Sequence, residues 1–497
     1  MQKLQSQKSQ KEDLAGIVGF DSYFEEPSIL ESYSKDLSFV APRRPSAVVK
    51  PKNADEVQRI VKWANRTLTP LIPVSSGSPH FRGDTIPTRD GTVVVDLSDM
   101  KRILKIDRRN RFAIFEPGVT WGMLQSELAK EGMRIPMPLL PRATKSVIGS
   151  LLEREPILAP RYAWTLIGPL RCLEVIWGTG DKLLTGEAGL YLGSMEEQWK
   201  MGAAYVNPMG PLQVDYHRIV SAAQGTMGIV TWASGRCEIL PQEEELFFAP
   251  SESFSSLVDF TYRFVRFRYG DELLFLNGWN LASMLGKSPG EITELAKKLP
   301  SWILILTVSG YDILPKERIK VEEKDTKDLA KSFNVQLLQS IPGAESKQVL
   351  EILGKTSGEP YWKLKYKGGC QDIFFLTTLD KVDEFVKTIS SVAESVRYPT
   401  SEIGVYVQPE QQGVACHCEF DLFYNPDDPK EVDRVKEMLA KGSEELIAKG
   451  AFFSRPYGIW ADMAYKRDVQ NTNALKKIKG IFDPNNVLNP GRLCFKK

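Results

Sequence analysis

The stretch Ala222-Ala223-Gln224-Gly225-Thr226-Met227-Gly228-Ile229-Val230-Thr231 constrains the fold more than any other in the chain. It is a turn of small residues feeding a β-branched strand. Gly225 and Gly228 withhold side chains where backbone must come close to something flat or charged. Three further small-residue pieces precede it: Pro73-Val74-Ser75-Ser76-Gly77-Ser78, Phe115-Glu116-Pro117-Gly118-Val119-Thr120-Trp121 and Ser146-Val147-Ile148-Gly149-Ser150. Tight loops of such residues supply convergent backbone N–H groups, which is what a pyrophosphate requires.

A chain of 497 residues is too long for one core, so two or more domains are expected. Sixty-four basic against sixty-three acidic residues leave a net charge of +1, which argues against a nucleic-acid partner. Met1 to Gly19 is rich in Gln, Lys and Ser and lacks the apolar core of a secretory signal. No uninterrupted apolar run approaches the roughly 18 residues of a membrane span. Six cysteines make no disulfide framework, so a reduced, cytoplasmic protein is expected.

Pro45 to Pro51 reads as a short strand bracketed by prolines, and Asn53-Ala54-Asp55-Glu56 as the start of a helix with Val57, Ile60, Val61 and Ala64 on one face. Leu71 to Val74, Thr92 to Leu97 and Phe112 to Phe115 read as strands, and Met123 to Glu131 as a short helix. Beyond Leu240-Pro241-Gln242 the texture changes. Apolar strands (Trp302 to Val308, Asp372 to Thr377) alternate with charged helices (Lys316 to Phe333, Leu379 to Val392), which predicts an antiparallel sheet with helices on one face. Asn471 to Gly480 reads as helical before the closing Asp483-Pro484-Asn485 and Asn489-Pro490-Gly491-Arg492.

In this order, the four glycine-bearing segments and the terminal motifs resemble the FAD-binding half of the vanillyl-alcohol oxidase and p-cresol methylhydroxylase flavoprotein family. The resemblance implies an α+β, two-domain FAD-binding fold of the p-cresol methylhydroxylase (PCMH) type with an antiparallel-sheet cap domain for the substrate. It divides the chain into an FAD-binding part (1–242), a cap (243–450) and a C-terminal return (451–497). FAD is the implied cofactor. Val74, Ser75, Ser76, Gly77 and Ser78 form the phosphate loop, Pro117 and Gly118 the second segment, and Ser146, Val147 and Gly149 the third. Gly225, Gly228 and Ile229 form the fourth, the Ile229 backbone near the pyrimidine edge, with Arg492 in the terminal motif. Competing nucleotide motifs are missing: no Gly-x-Gly-x-x-Gly follows a strand, and the Gly-Lys-Ser/Thr triplets at Gly286 and Gly354 lack the earlier P-loop glycine.

Some family members tether the flavin covalently, and alignment on Tyr424-Asn425 brings His417 or Cys418 near the attachment position, while His80 falls about one residue out of register for another. Strand alternation sends Cys416 and Cys418 to one face and His417 to the other, so Cys-His-Cys is not read as a metal site. A flavin takes a hydride when the substrate carbon sits over its face, and the protein supplies orientation and charge. The family's Tyr-Arg pair for a phenolate falls between Pro456 and Trp460, where no such dipeptide exists; Arg455 and Tyr457 are the substitutes. Its Asp after the Glu153-Arg154 step falls on Ala163. Arg455, Tyr457 and Tyr162 are thus the candidate catalytic residues, with Arg161 a further polar contact and Trp164, Tyr406 and Trp460 candidate walls. The expected function is an FAD-dependent oxidoreductase acting on a small, aromatic-alcohol or alkylphenol-like molecule, with an electron-acceptor protein or dioxygen as oxidant and homo-oligomerisation possible. A flavin-carrying electron-transfer subunit with an eroded site and a D-2-hydroxy-acid dehydrogenase-like enzyme are the alternatives. The latter branch's His…Gly-Asp-Gly-Asn…His pattern is absent, since Cys418-Glu419-Phe420-Asp421 follows His417.

Overall fold

The computed structural model describes residues 2–161, 168–210 and 215–496. Two larger sheets form the body of the first unit, beside a two-stranded pairing of Met133–Arg134 with Glu238–Ile239. Tyr23–Phe24, Ala47–Val49, Val93–Asp96 and Leu71–Val74 lie side by side in that order, the last three mutually parallel. Their near-continuous Val, Ile and Leu content suits strands covered on both faces. Asn53 caps the helix Ala54–Thr67 by accepting from the Glu56 amide, and Val57, Ile60, Val61 and Ala64 turn into the core. The polar N-terminal stretch forms the helix Gln2–Val18, whose Leu14, Ala15 and Val18 join the same core.

The second sheet is antiparallel, in the order Ile103–Asp107, Phe112–Phe115, Gly228–Arg236, Leu170–Trp177 and Lys182–Leu184. Helices Trp121–Lys130 and Val147–Leu152, capped by Thr120 and Ser146, lie against it. The chain's end returns here: Leu488 bridges to Leu71, and Leu493 and Phe495 are buried in the core of the second sheet.

The cap is one six-stranded antiparallel sheet, ordered Glu243–Ser251, Trp302–Gly310, Leu273–Asn277, Ile403–Glu410, Ala415–Tyr424 and Gly369–Thr377. Helices Ser255–Phe267, Pro315–Ser332, Val382–Ser395 and Pro429–Ala448 bury their apolar stripes on one face. The other face is covered at one end by the short helices Gly278–Leu285, Pro289–Ala296 and Ser346–Leu353, which the sequence texture did not suggest. The strand expected to end at Val308 runs to Gly310, because Ser309 and Gly310 pair with Glu244 and Glu243. The strand expected from Asp372 begins at Gly369, held by its pairing with Tyr424. Alternation along Ala415–Tyr424 places Cys416, Cys418, Phe420 and Leu422 in the helix-side core. It turns His417, Glu419 and Asp421 toward the first unit.

Candidate active site

The four glycine-bearing segments converge on one groove. Val74, Ser75, Pro117, Gly149, Gly225, Gly228 and Ile229 all line it. Ser146 is the knot. Its hydroxyl donates to the Pro117 carbonyl at 2.6 Å and accepts from the Gly149 amide at 3.0 Å, while its own amide donates to Ser76 Oγ at 3.1 Å. Gly118 and Val147 stand behind the wall, their amides bonded to the carbonyls of Met100 and Val119. Gly77 donates to the Thr144 carbonyl at 3.0 Å, and neither Gly77 nor Ser78 lines the groove. Gly225 has φ +67°, and a Cβ there would sit 2.5 Å from Pro73 Cγ; at Gly228 it would sit 2.6 Å from Val175 Cγ1. What these two glycines admit closely is therefore protein, which brings the segments near enough to form a cradle.

The terminal motifs lock that cradle. The Asp483 carboxylate accepts from the Val487 and Leu488 amides and is ion-paired with Lys479, whose ammonium also donates to the carbonyls of Thr226 and Leu488. Asn489 Nδ2 donates to the carbonyls of Asp84 (3.0 Å) and Gln224 (2.8 Å). Asn489 Oδ1 is buried without a hydrogen-bond partner, and Asn489 lines the groove. Arg492 donates to the Ile86 carbonyl behind the loop. A narrow, small-residue groove with an unpaired buried acceptor suits a dinucleotide, whose hydroxyl and amino groups supply donors.

The groove shares Pro73, Val74, Ser75, Asp84 and Glu153 with a cavity of about 170 Å³ between the first unit and the cap sheet, so the two form one cleft. Burial and the neighbouring Glu153 push the Asp84 carboxyl up to about 6. Charge dominates the cap side. The buried Lys363 ammonium lies 2.5 Å from Glu419, 2.6 Å from Asp421 and 3.2 Å from Asp372. These three carboxylates come close enough together to hold a metal ion, yet an ammonium stands among them. Burial pushes the Asp421 carboxyl up to about 7, whereas Lys363 and His417 hold Glu419 well below the usual carboxylate range against its own burial. Arg82, from the first unit, reaches across to Asp372 and stacks 4.5 Å from the Phe374 ring centre.

Of the expected catalytic residues, Arg455 lines the cavity. It lies 4.1 Å over Phe374, and its Nη2 donates to His417 Nδ1 at 3.3 Å. Because that nitrogen must accept, the other, Nε2, carries the proton and donates to Glu419 at 3.0 Å. His417 is thus a neutral imidazole with both nitrogens engaged, one side chain behind the cavity wall, and burial lowers its pKa. Tyr457 is buried against Phe374 and Arg82 and does not reach the wall; Trp460 packs in the cap core and donates to Ser443. Tyr406 does line the cavity, and so does His80. Arg161 lies elsewhere, paired with Glu238 and Asp271. Tyr162, Ala163 and Trp164 lie outside the described residues. Arg82, Arg142, Lys363 and Asp372 went unmarked in the sequence. Each is a lone charge in an ordinary context, and only the fold brings them together.

Residues 45–155 match the FAD binding domain family and residues 379–493 the C-terminal domain of the FAD linked oxidases. The chain is 24% identical to D-2-hydroxyglutarate dehydrogenase of Stutzerimonas stutzeri, over 93% of this chain and 94% of that protein. It is 22% identical to the 4-cresol dehydrogenase [hydroxylating] flavoprotein subunit of Pseudomonas putida, over 96% and 93%. The structure of 4-ethylphenol oxidase from Gulosibacter chungangensis superposes with a TM-score of 0.81 at 18% identity, covering 99% of this chain and 97% of that one. The chain therefore has the PCMH-type two-domain FAD-binding fold, and it is an FAD-linked oxidoreductase with FAD as its cofactor.

Proposed function

We propose that this enzyme takes a hydride from a small organic donor with an aromatic-alcohol or alkylphenol-like body, in the manner of the vanillyl-alcohol oxidase branch of the fold. The observation that carries the reading is Arg455. Its guanidinium faces the cavity continuous with the dinucleotide groove and has no carboxylate within ion-pair distance among the described residues. When bound, FAD supplies the hydride acceptor. Arg455, held by His417 and the Phe374 ring, orients an anionic group of the donor, either a phenolate or a carboxylate. Phe81, Tyr361, Trp362 and Tyr406 supply the aromatic wall and exclude water. Electrons then pass to dioxygen or to an acceptor protein. No described helix is long and apolar enough to cross a membrane, and the six buried free cysteines support the proposed cytoplasmic setting.

A second reading, oxidation of a D-2-hydroxy acid, is favoured by that same guanidinium, which fits a carboxylate at least as well, and by the likeness to D-2-hydroxyglutarate dehydrogenase. Anaerobic mixing with panels of alkylphenols, aromatic alcohols and D-2-hydroxy acids, followed by flavin absorbance, tests both. Bleaching by the aromatic panel supports the first reading, and bleaching by hydroxy acids alone installs the second. A flavin that no donor reduces leaves an electron-transfer subunit and overturns both.

A further inference from the structure

The cavity contains a second guanidinium held in the same manner as the first. Arg142 is 6% exposed, as is Arg455. Its Nη1 donates to the Gly77 carbonyl at 2.9 Å and approaches Thr144 Oγ1 at 3.5 Å, and its guanidinium stacks 5.3 Å from the Phe81 ring centre. Arg455 repeats the pattern with Nη2 on His417 and a stacked Phe374. Each is pinned by one nitrogen and laid on a phenyl ring, and among the described residues its other two nitrogens have no hydrogen-bond partner on the one cavity they share.

The other cations of the cavity are already neutralised. Lys145 pairs with Glu153 and Glu155, Arg82 with Asp372, and Lys363 with Asp372, Glu419 and Asp421. Asp84 lies where cavity and groove meet and has no cation within ion-pair distance among the described residues. Among the described residues neither arginine has a carboxylate within that distance. A buried guanidinium without an anion is costly, and fixed N–H donors directed into a cavity suit a carboxylate.

Resting on the proposed function, we propose that Arg142 and Arg455 form a two-point anion site, so that the physiological donor is a dianion whose charged groups are separated by an apolar or aromatic body. Arg455 holds one anionic group beside the cap sheet. Arg142, just before Ser146 in the chain and bonded to the Gly77 carbonyl, holds the other and sets which donors are accepted.

The experiment measures binding of succinate, glutarate and adipate against butyrate, valerate and caproate to the FAD-loaded enzyme, read as perturbation of the flavin spectrum. At least one dicarboxylate should bind about tenfold or more tighter than its monocarboxylate match, roughly 1.4 kcal/mol. Arg142→Met should erase that preference while FAD content and monocarboxylate affinity stay, and Arg142→Lys should restore part of it if Arg142→Met folds poorly. Equal affinities for both series in the wild type overturn the inference. So does an Arg142→Met protein that loses FAD, because Arg142 would then serve the cofactor's phosphates. Flavin reduction by monoanionic donors with no dianion preference sinks this inference and spares the proposed function. Dicarboxylate preference in an enzyme that no donor reduces does the reverse.

Discussion

The two walls of the cleft are made by opposite means. The dinucleotide groove is built from backbone and small side chains, its contacts running between neighbouring loops and a returning tail. The cap wall is built from charged side chains on one face of the cap sheet. In the first, function depends on what is missing, namely side chains. In the second it depends on an ion network whose members cannot be removed singly. A buried carboxylate deprived of its cation costs far more than a lost surface pair.

The contrast breaks most decisively at Lys363. Lys363→Met leaves Glu419 and Asp421 buried without their ammonium, and only Asp372 keeps a cation, Arg82. The expected loss is about 3–5 kcal/mol of stability, seen as a large fall in thermal midpoint with or without FAD. A shift of only about 2 °C would mean the network is solvated and the cap wall is ordinary surface.

On the groove side the corresponding test is Gly225→Val. The left-handed φ alone costs about 1–2 kcal/mol for a residue with a Cβ, and the clash with Pro73 adds to it, for about 3 kcal/mol in all. Because the strain falls on the loop that closes the cradle, flavin retention should collapse while the cap sheet's contribution to unfolding remains. Flavin absorbance per chain measures this. Full retention would show that the loop is not part of the cradle.

The same division explains what was legible in the sequence. A backbone cradle needs small residues in contiguous runs, so Ser75-Ser76-Gly77, Ser146 to Gly149 and Gly225 to Ile229 were visible as segments, and the parts fell into chain order. The clamp was half legible: Asp483 and Asn489 stood in motifs, but Lys479, which ties Asp483 to the Gly225 loop, was one lysine in a charged helix. On the cap, alternation alone split Cys416 and Cys418 from His417. That signal extends to Glu419 and Asp421, polar residues at every second position of a strand whose remaining positions are apolar. Nothing in the chain near Arg142 or Lys363 reports that each will be buried, because the Gly77 carbonyl that holds Arg142 lies 65 residues away and the Glu419 carboxylate that holds Lys363 lies 56 residues away.

A smaller effect sharpens the difference between the walls. Arg455→Met removes a charge that faces the cavity without completing the carboxylate network, so stability and FAD content should hold. KM for anionic donors should rise about thirtyfold, roughly 2 kcal/mol, with kcat changed less. Equal losses in kcat and kcat/KM would instead give Arg455 a role in the transition state alone.

The smallest effect is expected at His80, which follows the phosphate loop by two residues and lines the charged cavity. Burial, reinforced by the Arg142 guanidinium, lowers its pKa from 6.5 to about 4. Between those values the unfolded chain binds a proton that the folded chain refuses, so stability from this group is complete above pH 6.5 and drains away as pH falls toward 4. Asp84 works in the other direction. Its carboxyl, raised from 3.8 to about 6, takes up a proton first in the folded state, so acidification through that window stabilises. The wild-type pH profile mixes the two, and the difference between wild type and His80→Gln isolates the histidine. The variant should lose about 1–2 kcal/mol less than wild type between pH 7 and 5 in denaturant titrations, a figure reduced from the full linkage because His80 is partly exposed. Parallel profiles would mean that His80 titrates as it does in water, and the cavity beside Arg142 would then be wet enough to weaken the charge recognition drawn from it.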